Sequence, residues 1–212
     1  MTTFHEQTVA CPCCNEEVII TLLTSTNSFG KRTDFHSITG GFPPIPLQMN
    51  TCPTCGFSGS ANDFLNPKLS PELKEKIQTH IKPMLYDAPL KAGRRYELYA
   101  EIRKLEGDTE LELANRYLVA AWAAVDEGTD DEKAHRQKAI DYFRKALNKN
   151  QVPENSEANI TYLVGELYRR IGDSDSARTW FNRVEVRAQS DETWEDIAKI
   201  AIQQRDNPKD RF

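Results

Sequence analysis

Two short cysteine motifs in the chain have the composition of metal-binding turns. They read CPCCN and CPTCG, and they begin at Cys11 and Cys52. A Cys-x-x-Cys turn directs two thiolates at one ion, and two such turns supply the four thiolates of a closed structural zinc site. A single turn of this kind also occurs in redox proteins, whereas a pair in one chain indicates a metal site. We therefore predict one structural Zn²⁺ held by Cys11, Cys14, Cys52 and Cys55.

An alignment of the two motifs separates these ligands from a fifth cysteine. Cys13 falls opposite Thr54, the variable position, and we expect it to point outward or to fill a small apolar space. Because Cys13 is adjacent to Cys14, it could compete with that residue as a ligand. Asn15 and Gly56, which follow the second cysteines, suit a turn that requires a positive φ.

A catalytic alternative would depend on Asp34 and His36, which lie in a segment rich in glycine and proline. Hydrolysis at a bound zinc requires an open coordination position, and four thiolates leave none. The sequence contains no phosphate-binding loop, nucleophile elbow or HExxH motif. We therefore predict that the protein is not an enzyme.

Charge is distributed unevenly along the 212 residues, whose formal net charge is −5. Residues 1–66 carry two basic and five acidic side chains, while residues 67–105 carry nine basic and five acidic ones. Neutralisation of phosphates supplies most of the affinity of proteins for nucleic acid, so a nucleic-acid-binding ribbon is expected to be basic. The acidic N-terminal part argues against a direct nucleic-acid partner, although the basic segment 67–105 leaves docking within a larger complex open.

Composition also predicts the compartment. No apolar run approaches the roughly 18 residues that would span a bilayer. The opening residues, MTTFHEQTVA, lack the basic and apolar regions of a signal peptide. Four of the five cysteines form metal-type pairs, which suits a reducing environment better than a disulfide scaffold does. We expect a cytoplasmic protein with no membrane partner.

The fold predicted from these patterns is α+β, with two parts. Residues 1–66 form a small β zinc ribbon, in which VIITLL at residues 18–23 is a strand and residues 24–50 are a long insertion loop. Such a module is too small for a substantial core, so the metal should supply much of its stability. Residues 67–212 are predicted to form an all-α domain, because serine, aspartate, glycine and proline recur where helices begin and end.

A repeat is visible within the predicted helices. Gly165, Tyr168, Ala177 and Phe181 follow the small–aromatic spacing of a tetratricopeptide repeat, in which the small residues let two helices approach closely. We predict tetratricopeptide-like repeats over about residues 110–149 and 157–188, the first of them degenerate, with a C-terminal capping helix. A generic bundle of helical hairpins is the alternative.

The paired CPxC motifs, the stretch TDFH…GGFPPIP before the second of them, and YLVGELYRRIGDSDSARTWFNRV together resemble the prokaryotic family known as domain of unknown function 2225. The resemblance extends over about residues 8–188. It implies a zinc-ribbon-like module joined to tetratricopeptide-like helices, and it implies no activity. Relative to the usual CPxCG pattern, Cys13 is extra and Asn15 replaces glycine.

Stacked helix pairs create a concave groove that can bind a peptide or a protein segment. The repeat register predicts that this groove is lined by first-helix residues, whose arginine and asparagine side chains could hold a carboxylate. We therefore predict a non-enzymatic, zinc-stabilised adaptor with a peptide or protein partner. The alternative is a factor that docks on the ribosome, RNA or a polymerase through the ribbon and residues 67–105. The predicted partner-binding residues are Arg116, Asn159, Tyr162 and Arg169.

Overall fold

The computed structural model describes residues 2–85 and 90–212 and has the α+β architecture expected from the sequence. Six short strands lie in the N-terminal part, and the long helices follow from residue 92 onward. The strands are β1 (Thr3–Ala10), β2 (Glu17–Ser25), β3 (Ser28–Lys31), β4 (Ser37–Thr39), β5 (Asn50–Thr51) and β6 (Ser58–Gly59). The helices are α1 (Ile45–Gln48), α2 (Ala61–Leu65), α3 (Pro71–Lys76), α4 (Ala92–Glu106), α5 (Glu110–Glu127), α6 (Glu132–Asn148), α7 (Glu154–Ile171), α8 (Ser174–Ala188) and α9 (Glu195–Asp206).

The chain divides into two compact units that are interleaved in sequence. The first unit comprises residues 1–28, 39–108 and 115–135, and the second comprises residues 29–38, 109–114 and 136–212. The division falls within α5 and α6, whereas the predicted domain boundary lies between residues 66 and 67. That boundary remains a prediction.

In the first unit, β1 and β2 form an antiparallel hairpin that ends at the first cysteine motif. β2 alternates between buried and exposed side chains, because consecutive residues of a strand point to opposite faces. Val18 and Ile20 are buried, and Ile19 between them is 65% exposed. The asparagine side chain of Asn50 pairs with the backbone of Thr21 through two hydrogen bonds, of 2.7 and 3.2 Å.

The cysteine motifs of the first unit share one apolar core with the helices of that unit. Ile77 and Ile81, in a π-helical turn that continues α3, are buried in this core. Leu98 and Ile102 of α4 lie in the same core. The cysteine turns are therefore packed against helices, which contribute apolar side chains to the core around them.

In the second unit, α7 and α8 form a helical hairpin whose connection contains Gly172 in the left-handed conformation. A Cβ atom added to Gly165 would lie only 2.9 Å from the ring of Phe181, so this glycine permits the close approach of the two helices. The predicted role of Gly165 is thereby confirmed. Ala177, Phe181 and Tyr168 are buried in the same hairpin. Assignment of these helices to the tetratricopeptide class remains a prediction.

Residues 24–50, which were expected to form a loop, contain regular structure. The segment includes β3, β4 and α1. Strand β1 is also not predicted from the sequence, since TFHEQTVA is polar and only weakly alternating. In residues 24–50 and in β1, pairing with a neighbouring strand or tertiary contact determines the conformation. Local composition says little about such contacts.

Within the described ranges, no helix combines the length and the apolar character that a membrane-spanning segment requires.

Candidate metal centre

The two cysteine motifs adopt the same backbone turn. In the first, the N–H of Asn15 donates to the carbonyl oxygen of Cys11 at 2.9 Å, and in the second, the N–H of Gly56 donates to that of Cys52 at 2.9 Å. Asn15 and Gly56 have φ values of 64° and 78°. The positive φ expected at both positions is confirmed, and it explains why asparagine and glycine stand there.

A second hydrogen bond closes each turn and fixes its cysteine pair. The N–H of Cys11 donates to the carbonyl oxygen of Glu16, and that of Cys52 donates to the carbonyl oxygen of Phe57, each at 2.8 Å. Gly56 is constrained further, because an added Cβ atom would lie 2.9 Å from Cγ2 of Ile81. The backbone therefore orients the sulfur atoms before any ion is considered.

The four cysteines of the aligned motifs converge in the first unit. Their sulfur atoms all lie within 4.8 Å of one another. Sγ of Cys11 is 3.7 Å from that of Cys55, and Sγ of Cys14 is 3.6 Å from that of Cys52. Cys14 is partly exposed, while the other three are completely buried. The four cysteines could bind a metal ion.

Electrostatics favour a cation among these sulfurs. Hydrogen bonds from Cys11 and Cys55 lower the pKa of Cys52, so one thiolate is readily accommodated. The hydrogen bond to Cys52, together with burial, raises the pKa of Cys11 to about 12. Hydrogen bonds to Cys11 and Cys52 likewise raise the pKa of Cys55. Four crowded sulfurs cannot all be thiolates without a positive charge between them, and a divalent metal ion would supply that charge.

Cys13 lies outside the group of four. Its sulfur is 3.9 Å from the carbonyl oxygen of Lys74 and 3.7 Å from Nε2 of Gln78. The side chain is half-buried against the core of the first unit, and burial raises its pKa. Cys13 thus occupies a small partly apolar space beside the centre.

Asp34 and His36, the residues on which a catalytic alternative depends, are almost completely buried in the second unit. Oδ2 of Asp34 accepts a hydrogen bond of 2.8 Å from Nη1 of Arg136 and lies 3.5 Å from Nε of Arg170. Burial would raise the pKa of Asp34, but the charges of Arg136 and Arg170 outweigh burial and lower it. A substrate could not reach either side chain without a rearrangement.

The same ionic cluster contains residues that the sequence did not single out. Glu166 is completely buried and accepts hydrogen bonds from Arg169, Arg170 and Thr33, at 2.6 to 2.8 Å. The signal that could have identified it is a charged residue on the apolar face of a helix. Glu166 lies one helical turn from Tyr162, and Arg136 lies one turn from Ile140, both of which are fully buried.

The four predicted partner-binding residues have different environments. Tyr162 is completely buried and donates a hydrogen bond of 2.9 Å to the carbonyl oxygen of Thr33, so a partner could not contact it in this structure. Arg169 pairs with Glu166, whereas Asn159 is exposed. Arg116 belongs to the first unit, where its Nε lies 2.5 Å from Oδ2 of Asp108.

Four of the nine cations of the basic segment 67–105 are paired with carboxylates of the first unit. The ion pairs are Lys76–Glu72, Arg94–Glu97, Arg103–Glu106 and Lys104–Glu101. Arg95 is half-buried, and its guanidinium donates to the carbonyl oxygen of Pro46 at 2.7 Å. Residues 86–89 of this segment lie outside the described residues. Part of the positive charge counted in the sequence is therefore neutralised locally.

A groove of about 620 Å³ lies on the second unit. Its lining includes Arg183, Val186 and Arg187, which project from one face of α8. The guanidinium of Arg183 lies 5.2 Å from the ring centre of Trp180, and that of Arg187 lies 6.0 Å from that of Trp194. The groove thus combines two cations held over aromatic rings with an apolar side chain that is 63% exposed.

These features define an α+β protein with a four-cysteine centre and a helical part. Comparison with family models found a match over residues 4–207 to "Uncharacterized protein conserved in bacteria (DUF2225)", so the chain belongs to that family. The resemblance noted in the cysteine motifs and the helical segment is thereby confirmed. Comparisons with curated proteins and with solved structures each found no significant match.

Proposed function

We propose that this protein is a zinc-stabilised adaptor whose helical unit binds a peptide or a protein segment that carries a carboxylate. The metal organises the fold and takes no part in a reaction. The observation that carries the proposal is the groove of the second unit, in which Arg183, Val186 and Arg187 are exposed side by side.

The ligand set supports zinc as the proposed metal. Four thiolates at a Zn–S distance of about 2.3 Å stand about 3.8 Å apart in a regular tetrahedron. The Cys11–Cys55 and Cys14–Cys52 separations of 3.7 and 3.6 Å are close to that value. A site closed by four thiolates has no position for a substrate, which supports a structural role and a non-enzymatic protein. None of the five cysteines forms a disulfide, which supports the proposed cytoplasmic location.

Charge and shape indicate the chemistry of the partner. A guanidinium held against an aromatic ring is oriented before binding, so less conformational entropy is lost when it engages a carboxylate. Val186 lies between the two arginines in sequence and offers an apolar contact next to them. Asp191 lies 3.5 Å from Arg187 and would have to share or yield that cation. We expect affinities in the micromolar range, since the groove is short and open.

Docking on an RNA-containing machine has less support. It would require free cations on the first unit, and four of the nine cations in residues 67–105 are paired with nearby carboxylates. The two proposals differ in their response to salt, because phosphate contacts lose affinity steeply as ionic strength rises.

The experiment is a selection of short random peptides displayed on phage against the immobilised full-length protein, followed by fluorescence titration of the enriched peptides. We expect enriched sequences to share an acidic residue or a free C-terminus beside an apolar residue. Exchange of Arg183 and Arg187 for glutamate should abolish binding, because it reverses the charge of the groove.

Arg178→Glu is the matched control. Arg178 is an exposed arginine of the same helix and does not line the groove. Peptides that bind the wild type and this control but not the double variant would support the proposal. A failure to enrich any peptide, or equal loss of binding in the control, would count against it.

A further inference from the structure

The second surface of interest is the outer edge of the β1–β2 hairpin in the first unit. β1 pairs only with β2 among the described strands, although it is eight residues long. Seven of its eight side chains are exposed and the eighth is partly exposed. Proteins usually guard such an edge with lysine, proline or a covering segment, because its backbone groups can pair with another chain. β1 contains neither lysine nor proline.

The hydrogen-bond pattern shows which backbone groups are directed outward. Thr21 uses its N–H and its carbonyl oxygen to bond Asn50, on the side of β2 away from β1. Glu6 lies opposite Thr21, and residues opposite each other in an antiparallel pair direct their backbone groups either both inward or both outward. The N–H and carbonyl groups of Glu6 therefore face the open edge, as do those of Thr8 and Ala10 by alternation.

This assignment agrees with the other end of the hairpin. The N–H of Cys11 donates to the carbonyl oxygen of Glu16, so the residue that follows Ala10 is directed inward. Gln7 and Val9 accordingly face β2. No hydrogen bond to the outward backbone groups of Glu6, Thr8 or Ala10 occurs in the described part of the chain.

The side chains next to the edge indicate what would pair with it. The hairpin face that is directed away from the core carries exposed Phe4 and Ile19, which are 48% and 65% exposed. The same face carries the exposed carboxylates of Glu6 and Glu17 and has no cation on either strand. An added strand would therefore lie directly beside Phe4 and Glu6 of β1, with Ile19 and Glu17 one strand further away on the same face.

We infer that the open edge of β1 binds an extended basic segment of a partner protein by strand addition. Backbone hydrogen bonds to Glu6, Thr8 and Ala10 would supply affinity, and lysine or arginine side chains at alternating positions of the segment would pair with Glu6. A second copy of this chain is a poorer occupant, because it would add two more carboxylates to a face that already has two. This site is independent of the groove in the second unit.

The test uses the full-length, metal-containing protein and a blocked peptide in which lysine alternates with valine. We expect salt-dependent binding that is absent for the matching peptide with glutamate in place of lysine. Thr8→Pro removes one outward N–H and no bond within the hairpin, so it should weaken binding by about tenfold or more. Thr8→Ala loses the same side chain, keeps the N–H and should bind as the wild type does.

Charge is tested separately. Glu6→Lys should also weaken binding by about tenfold or more, because it places a cation against the lysines of the peptide. Glu75→Lys changes the net charge equally on the exposed surface of α3 and should have little effect. Equal loss of peptide binding in both variants would show that the net charge of the protein, and not the edge of β1, attracts the peptide. That result would overturn the proposal.

Amide hydrogen exchange provides a readout that does not depend on any variant. The amides of Glu6, Thr8 and Ala10 should exchange quickly in the free protein and slowly with the peptide, while those of Gln7 and Val9 are slow in both states. Binding without this alternating protection would contradict strand addition. Concentration-dependent dimerisation that protects the same amides without peptide would assign the edge to a second copy and overturn the proposal.

Discussion

Oδ2 of Asp34 lies 2.8 Å from Nη1 of Arg136, and neither side chain is accessible to solvent. Arg170 contributes a second cation, with its Nε 3.5 Å from the same carboxylate oxygen. Removal of one partner from a buried ion pair leaves an uncompensated charge in a poorly solvating environment. This charged cluster thus helps to hold the segment around Asp34 in the second unit.

Arg136→Met should lower the free energy of unfolding by about 3 kcal/mol, because the buried carboxylate of Asp34 would lose its closest cation. Urea denaturation followed by circular dichroism measures the change. Arg178→Met, at an exposed position of α8, is the control and should change the free energy by less than about 0.5 kcal/mol. Equal effects of the two substitutions would mean that the buried pair has no special role.

The pH dependence of stability should carry the signature of Asp34. Its pKa is lowered in the folded protein, so the unfolded chain binds a proton more readily. Its contribution is complete above the unfolded pKa of about 3.9 and is lost as pH falls through the folded pKa. Below about pH 4, the wild type should lose up to about 1.4 kcal/mol per pH unit more than Asp34→Asn. Parallel curves of unfolding free energy for the two proteins would contradict this.

Gly165→Ala should destabilise the second unit although alanine favours helix formation. The new methyl group would lie 2.9 Å from the ring of Phe181, and overpacking of this kind costs about 1–3 kcal/mol, against a gain in helix propensity of about 1 kcal/mol. A double-mutant cycle with Phe181→Leu checks the cause. The leucine should restore part of the stability lost by Gly165→Ala, and strictly additive effects would show that the clash is not responsible.

The two turns of the metal centre should respond differently to substitution. Gly56→Ala combines a positive φ with a contact of 2.9 Å to Ile81, so it should accelerate loss of metal to a chelator. Asn15→Gly retains the permitted backbone conformation and should release metal at nearly the wild-type rate. Release is followed with a chromogenic chelator. Faster release from the Asn15 variant than from the Gly56 variant would contradict the proposed turn geometry.

The sequence predicted those parts of the molecule that depend on local rules. The register of the cysteine turns, the positive φ of Asn15 and Gly56 and the close approach at Gly165 each follow from the chemistry of one or two residue types. The α+β fold follows from the β-branched stretch VIITLL and from the helix start and stop residues that recur after residue 66.

Features that depend on distant contacts were not predicted. Asp34 meets Arg136 and Arg170 only after the chain has folded, so no local pattern reveals their cluster. The repeat register predicts that Tyr162 lines the groove of the helical repeats, but its ring packs against Phe35 and Phe181. A register fixes which residues share a helix face, and tertiary packing determines whether that face is exposed.

Metal content of the purified protein, measured by mass spectrometry for the wild type, Cys13→Ser and Cys14→Ser, tests the central claim most directly. We predict one zinc ion per chain in the wild type and in Cys13→Ser, because the sulfur of Cys13 lies outside the group of four. Cys14→Ser should lose the ion. Absence of zinc from the wild type, or its loss from Cys13→Ser, would contradict the closed four-cysteine centre.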